Sequence, residues 1–249
     1  MIYAIYKDSN ACHYFVNYFE YGDIFINPIN RLINFVRINY QMEKIDKKAS
    51  ILEAAERLFC EMGYEATSTR LIAKEATANM AMINYYFGSK EGVFMEIMSK
   101  RIADFRTQLA SICEDDLPCM EKLLKLIDGY ATKILSNHSF HKMMHRELSL
   151  PHRPEMFLKI KNSMAENLVI IEQIINGGIN DGSFRKVDVR MLIATIMGTI
   201  SNVAISPSKI TYGTALDINN TADRKVITER LINHLKDLII AYLTPKNDT

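Results

Sequence analysis

The sequence predicts an all-α protein. Three observations carry that expectation. Glycine and proline are few, 10 and 6 in 249 residues. Most of the chain after residue 44 spaces its apolar residues by three and four, the period of a helix face. Cap and stop residues bracket those stretches, and no segment alternates persuasively as a strand would. Hydrophobic residues make up 48% and charged residues 24%, as in ordinary globular proteins. The net charge of +1 gives no sign of a polyanionic partner, so any such signal must be local. Cys12, Cys60, Cys113 and Cys119 show no paired CxxC spacing and read as reduced and structural. No run of about 18 apolar residues appears, and the N-terminus lacks a basic n-region followed by an apolar stretch. The expectation is a cytoplasmic protein without a membrane partner.

The first helix is predicted over 47–62, where Leu52, Ala55, Leu58, Phe59 and Met62 form one stripe and Gly63 is the stop. Thr67, Ser68 and Thr69 offer N-cap oxygens to a second helix of about two turns, 70–76. After a tight turn at Thr77 to Asn79, a third short helix carries the segment NMAMINYYFGSKEG. Ser89 caps a long fourth helix reaching about Ile112, with Glu91 placed well against the helix dipole. Asp115, Asp116 and Pro118 mark a turn before a helix at 117–136, and another at 139–150 ends at the Pro151 to Pro154 region. The stripe Phe157, Ile160, Met164, Leu168, Ile171 and Ile175 predicts a helix over 155–176, ending at Gly177 and Gly178. A nearly all-apolar helix at 188–204, a loop from Ser206 to Asn220 and a closing amphipathic helix at 222–243 bring the count to about nine. Residues 1–41 mix Tyr, Phe, Ile and Asn without clean periodicity. They read either as a dispensable upstream extension or as a helical arm.

Two short helices joined by so tight a turn are a helix-turn-helix candidate. Residues 47–94 go further, with Ala-Ala-x-x-Leu-Phe in the first helix, a Gly-Tyr turn, Thr-x-x-Ile-Ala in the second helix and Tyr-Phe-Gly-Ser-Lys-Glu at the exit. This stretch, about 48 residues in register without a gap, resembles the DNA-binding domain of the TetR family of transcriptional regulators. The later helices agree with that family's regulatory domain in number and length. The resemblance implies a three-helix DNA-binding domain over 42–92 and a helical-bundle ligand-binding and dimerisation domain over 93–249.

The residues support the same role. A recognition helix puts its N-terminal part at base edges in the major groove. Asn79 and Met80 lie there, Ala81 is small enough to meet a thymine methyl, and Asn84 follows one turn later. Tyr85 offers a ring and a hydroxyl to a sugar-phosphate wall, and Arg70 can reach a guanine edge. Thr69 suits a phosphate at its helix N-terminus, and Lys90 and Lys48 can hold others. The resemblance adds Tyr86 to this set. Ile83 and Phe87 read as core, and Met82 as either. Where the family usually has a glycine in the turn this chain has Thr77, which leaves the turn either mildly strained or differently shaped. Where it usually has a tyrosine this chain has Asn84, so operator sequence is not readable. Residues 42–101 carry nine Lys/Arg and nine Asp/Glu, so non-specific DNA affinity should be modest.

A two-fold dimer would give such a small reader enough contacts and implies a palindromic operator. Met191, Ile227, Leu231, Leu235, Leu238 and Tyr242 are the interface candidates, with ordinary core as the alternative. A pocket for a small-molecule effector is expected between bundle helices, with Phe105, Tyr130, Phe140, Met143, Met144, Met164 and Met197 as candidate lining. His138, His141 and His145, spaced by three and four with His152 close behind, suggest a metal or pH sensor. Glu147 is the only close acid, so as a metal site the set is incomplete, and polar pocket or surface histidines are the alternative. No metal or cofactor is expected. No phosphate loop, GxSxG, HExxH or recognisable carboxylate pair points to an enzyme. The competing reading is a helical interaction protein without sequence-specific DNA binding.

Overall fold

The computed structural model describes residues 28–149 and 154–245, and among them the regular structure is entirely helical. By its contacts the chain divides into two compact units, residues 1–48 and 49–249. Helix α1 spans Pro28–Met62 and thus begins well before the expected residue 47. Nothing between Ile29 and Met62 is a proline or glycine, so the helix has no breaker to stop it. Its N-terminal part escaped a periodicity reading; among its described side chains Ile33, Phe35, Val36 and Ile38 are all exposed. Of the N-terminal extension, residues 1–27 lie outside the described residues, as do 150–153 with Pro151 and His152.

In the second unit α2 (Thr69–Glu75), α3 (Met80–Phe87) and α4 (Lys90–Glu114) follow α1. Then come α5 (Cys119–Ser136), α6 (His138–Leu148) and α7 (Pro154–Asn180). The chain closes with α8 (Val189–Ile205), the single turn α9 (Ser208–Thr211) inside the expected 206–220 loop, and α10 (Thr221–Leu243). α7 runs past the glycines expected to end it. Gly178 is glycine because the ring of Phe184 occupies its side-chain space: a Cβ there would lie 2.3 Å from the ring.

Two apolar cores organise this unit. The first takes Ile51, Ala55 and Phe59 from α1, Ile72 from α2, Ile83 from α3, and Val93, Phe94 and Ile97 from α4. It also draws in Phe140, Met143 and Met144 of α6 and Met156 and Ile160 of α7. The second joins the far half of α4 with α5, α7, α8 and α10. Each fully buried aliphatic or aromatic side chain contributes roughly 1.5–3 kcal/mol, so the head is held to the bundle chiefly by packing. Polar ties reinforce it. Glu56 of α1 accepts hydrogen bonds from Arg101 of α4 and from Asn137 at the start of α6, and the Arg101 guanidinium stacks 4.0 Å from the Phe140 ring centroid. Buried Asn167 of α7 accepts from Arg106 at 2.9 Å and donates to the Ile102 carbonyl, both on α4.

Candidate nucleic-acid interface

The reading head is assembled by its caps. Among the three hydroxyls offered before α2, Ser68 is the cap, its Oγ accepting from Leu71 N at 3.1 Å. Thr67 is buried instead and donates to the Gly63 and Leu58 carbonyls. At the other end Thr77 N donates to Lys74 O and Ala78 N to Ala73 O, the Schellman closure that demands a left-handed residue between them. That residue is Thr77, at φ 49°. A β-branched side chain there costs of order 1–3 kcal/mol, so the turn is strained.

α3 starts at once, with Asn79 Oδ1 accepting from Met82 N at 2.8 Å. Asn79 therefore spends its carbonyl oxygen on the cap, which narrows its expected role at base edges. Met80, Ala81, Asn84 and Tyr85 share one exposed face, and Tyr85 is 70% exposed. The opposite face packs on the first core through buried Ile83, with Met82, Tyr86 and Phe87 half-buried. Tyr86 stands edge-on to Tyr85, centroids 5.1 Å apart, and braces it. The entry to α4 fits tightly under α3: a Cβ on Gly92 would sit 1.8 Å from the Phe87 carbonyl oxygen, so only glycine is accommodated. Ser89 caps α4 as expected, accepting from Gly92 N.

Lys90 is half-buried and turned toward the chain's own backbone. Its ammonium donates to the Tyr64 carbonyl at 2.8 Å and the Thr67 carbonyl at 2.9 Å, and lies 4.3 Å from the Tyr64 ring centroid. It fastens the turn between α1 and α2, 25 residues away in sequence, which spacing alone does not show. Arg70 is exposed and Thr69 half-buried at the start of α2, both open to a ligand. Lys48 is half-buried on α1 in the first unit.

In the bundle, the expected effector residues fall into two groups. Phe105 and Tyr130 are buried in the second core with ring centroids 5.0 Å apart, and Met197 packs beside them. Phe140, Met143 and Met144 belong to the first core, with Met164 against it. A single pocket drawn from all seven is thus corrected to two separate clusters. Ser201, absent from the sequence-based candidates, links α6 to α8: its Oγ lies 3.0 Å from His141 Nε2. Burial pushes the Tyr130 hydroxyl up to about 12, and burial with the neighbouring His145 holds the His141 imidazole down at about 4. His138 instead lies 3.2 Å from Asn219 Oδ1. The three histidines do not converge, and the described residues contain no group of His, Cys, Asp or Glu placed to hold a metal.

Residues 51–97 match the family described as bacterial regulatory proteins, tetR family, and residues 116–205 match a tetracyclin repressor-like C-terminal domain. The chain belongs to the TetR family of transcriptional regulators. This TetR-family chain is 26% identical over 159 residues to the fatty acid metabolism regulator protein of Bacillus subtilis, covering 64% of this chain and 81% of that protein. It is also 26% identical over 157 residues to the transcriptional repressor KstR2 of Rhodococcus jostii, 63% of this chain and 77% of the relative. Its fold matches that of a putative fatty acid metabolism regulator of Clostridium perfringens with a TM-score of 0.64 at 22% identity, over 79% of this chain and all of the other. FadR of Bacillus subtilis in complex with stearoyl-CoA matches at 0.59 and 21% identity, over 75% and 96%. The chain is accordingly a DNA-binding transcriptional regulator. Among its described residues no helix is long and apolar enough to cross a membrane.

Half of the residues expected at a dimer interface are placed elsewhere by the structure. Ile227, Leu231 and Leu235 are buried in the chain's own second core and are not available to a partner. Met191, Leu238 and Tyr242 are exposed, at 64%, 40% and 42%, on α8 and α10.

Proposed function

We propose that this regulator is a repressor that occupies a palindromic operator as a homodimer and is released by an acyl thioester of coenzyme A. The observation that carries the DNA-reading half is the exposed face Met80, Ala81, Asn84 and Tyr85 on a helix whose other face is locked into the head core. α3 lies in the major groove, with Arg70 and Thr69 of α2 on adjacent backbone or base edges, and Tyr85 against the sugar-phosphate wall. Residues 42–92 act as the reading head and 93–249 as the regulatory part, and the protein works in the cytoplasm as a regulator and not as an enzyme.

The effector class is supported by relatives named for fatty acid metabolism and by solved neighbours holding stearoyl-CoA and isovaleryl-CoA. Its acyl part lies against the apolar bundle residues, with Phe105, Tyr130 and Met197 on the body side and Phe140, Met143, Met144 and Met164 on the head side. To release DNA it must bind the operator-incompetent arrangement more tightly than the competent one. The test is fluorescence anisotropy with DNA from upstream of its own gene. Binding at low salt that is reversed by acyl-CoA supports the reading, and no binding to that DNA at low salt overturns it in favour of a DNA-independent interaction protein.

A further inference from the structure

We propose that a cleft walled by α1, α6 and the C-terminal end of α8 binds a phosphate-bearing group of diphosphate size or larger. The inference rests on the reading above of an effector-controlled regulator and names where the charged part of an effector is held. The cleft encloses about 680 Å³, within the range of small-molecule sites and well beyond the needs of a single carboxylate.

One stripe of α6 supplies the donors. Ser139, Lys142 and Arg146 are spaced by three and four and all line the cleft, with His145 beside them. Lys142 is exposed, and no partner for its ammonium is found among the described residues. Arg146 gives Nε and Nη2 to one oxygen of buried Glu147, at 3.3 and 3.1 Å, which fixes the guanidinium and leaves Nη1 for another acceptor. Glu147 offsets part of the Arg146 charge. His145 is held below the ordinary imidazole range by burial, so it meets an anion as a neutral hydrogen-bond donor. Ser149 closes the stripe, its hydroxyl committed to the His145 carbonyl at 2.7 Å.

The remaining walls are apolar or nearly so: Cys60 from α1, Met143 from α6 and Ile205 from α8. A basic stripe facing such walls suits a molecule with a phosphorylated end and an uncharged remainder, since a point-charge lysine and a planar guanidinium are the usual phosphate partners. Cys60 lies on the helix that carries the reading head's first core, so an occupant touches head and body together and can bias their arrangement. From His145 a polar path leads inward: its ring stands 4.5 Å from that of His141, which bonds to Ser201.

The test is isothermal titration calorimetry of the full chain with coenzyme A lacking an acyl group, with pyrophosphate and with inorganic phosphate. Wild-type protein is expected to bind coenzyme A or pyrophosphate, Lys142→Gln to weaken that binding several-fold, and Lys142→Glu to weaken it at least tenfold. Because Lys142 is exposed, thermal melting of both variants should match wild type. Binding of coenzyme A but not pyrophosphate assigns the cleft to the effector's own phosphates; binding of both assigns it to phosphate anions generally. No heat from any of the three at millimolar concentration, or unchanged affinity in Lys142→Glu, overturns the proposal. Operator binding by the ligand-free protein is read separately: its failure would sink the regulator reading, while the calorimetry alone decides the cleft.

Discussion

Tyr85 and Lys90 sit five residues apart and face opposite surroundings, solvent for Tyr85 and the chain's own backbone for Lys90. Tyr85 is 70% exposed and contributes little to the head core, so Tyr85→Ala should leave the melting temperature within about 2 °C of wild type, as for most surface changes. Loss of its ring and hydroxyl from the groove should weaken operator binding about tenfold, or about 1.4 kcal/mol, by anisotropy. A large fall in melting temperature would make Tyr85 structural. Lys90 holds the Tyr64 and Thr67 carbonyls and covers the Tyr64 ring. Lys90→Met should therefore cost about 1–3 kcal/mol of stability without DNA, seen as a lower urea midpoint. If stability is unchanged and only DNA binding falls, the phosphate role first read from the sequence returns. Thr77→Gly should raise stability by about 1 kcal/mol, because glycine accepts φ 49° without a Cβ penalty. The exposed face of α3 was legible residue by residue because helical period alone separates it from Ile83. The role of Lys90 was not, because its partners lie 23 and 26 residues away and only the folded turn brings them near.

At the scale of elements, α6 shows what a helical period can and cannot reveal. Its three histidines fall on neighbouring positions of one face, as the spacing implied, yet they serve different neighbours: Asn219 for His138 and Ser201 for His141. Periodicity gives a face and not the identity of what packs on it. The same limit hid the early start of α1, where breaker-free sequence is helical and the described side chains of 33–38 are exposed, and the glycine at 178, which packs under Phe184 inside α7 rather than ending it. The buried face of α6 carries a pH prediction. His141 takes up a proton near 6.5 when unfolded and near 4 when folded, because burial and His145 disfavour its charge. Above pH 6.5 neither state is protonated and stability is full. As pH falls from 6.5 to 4, the unfolded chain gains a proton that the folded one refuses, and stability is lost. The loss should be about 2 kcal/mol at pH 5 relative to pH 7.5, with His145, also shifted down by burial, adding in the same direction. Urea denaturation at the two pH values measures it, and His141→Gln should flatten the dependence; an unchanged slope in that variant would place the titration elsewhere.

For the whole molecule, the bundle's surface decides how two reading heads are held at operator spacing. On α10, Ile227, Leu231, Leu235, Ile239 and Leu243 close the chain's own core, while Leu238 and Tyr242 lie exposed on one flank of that stripe and Val226 and Ile240 on the other. That arrangement explains why the sequence over-assigned the interface: apolar residues lie on both sides of the core stripe, and only packing against α5 shows which are used within the protomer. Arg185 stacks 4.1 Å from the Tyr242 ring centroid and bonds to its carbonyl, orienting that ring at the edge of the free face. Two charge insertions separate the roles. Leu235→Glu puts a carboxylate into a site 1% exposed and should unfold the chain, since an unpaired buried charge costs several kcal/mol. Leu238→Glu places it on the open face, where a folded protomer tolerates it and an apolar dimer contact does not. The expected result is a monomer of unchanged helicity, by light scattering and circular dichroism at micromolar concentration. Its operator affinity should fall by a hundredfold or more, because losing the second head removes an intramolecular gain of about 10²–10⁴. A Leu238→Glu protein that remains dimeric and binds operator normally would move the interface to another surface. One that unfolds would show that residue 238 is part of the protomer's core.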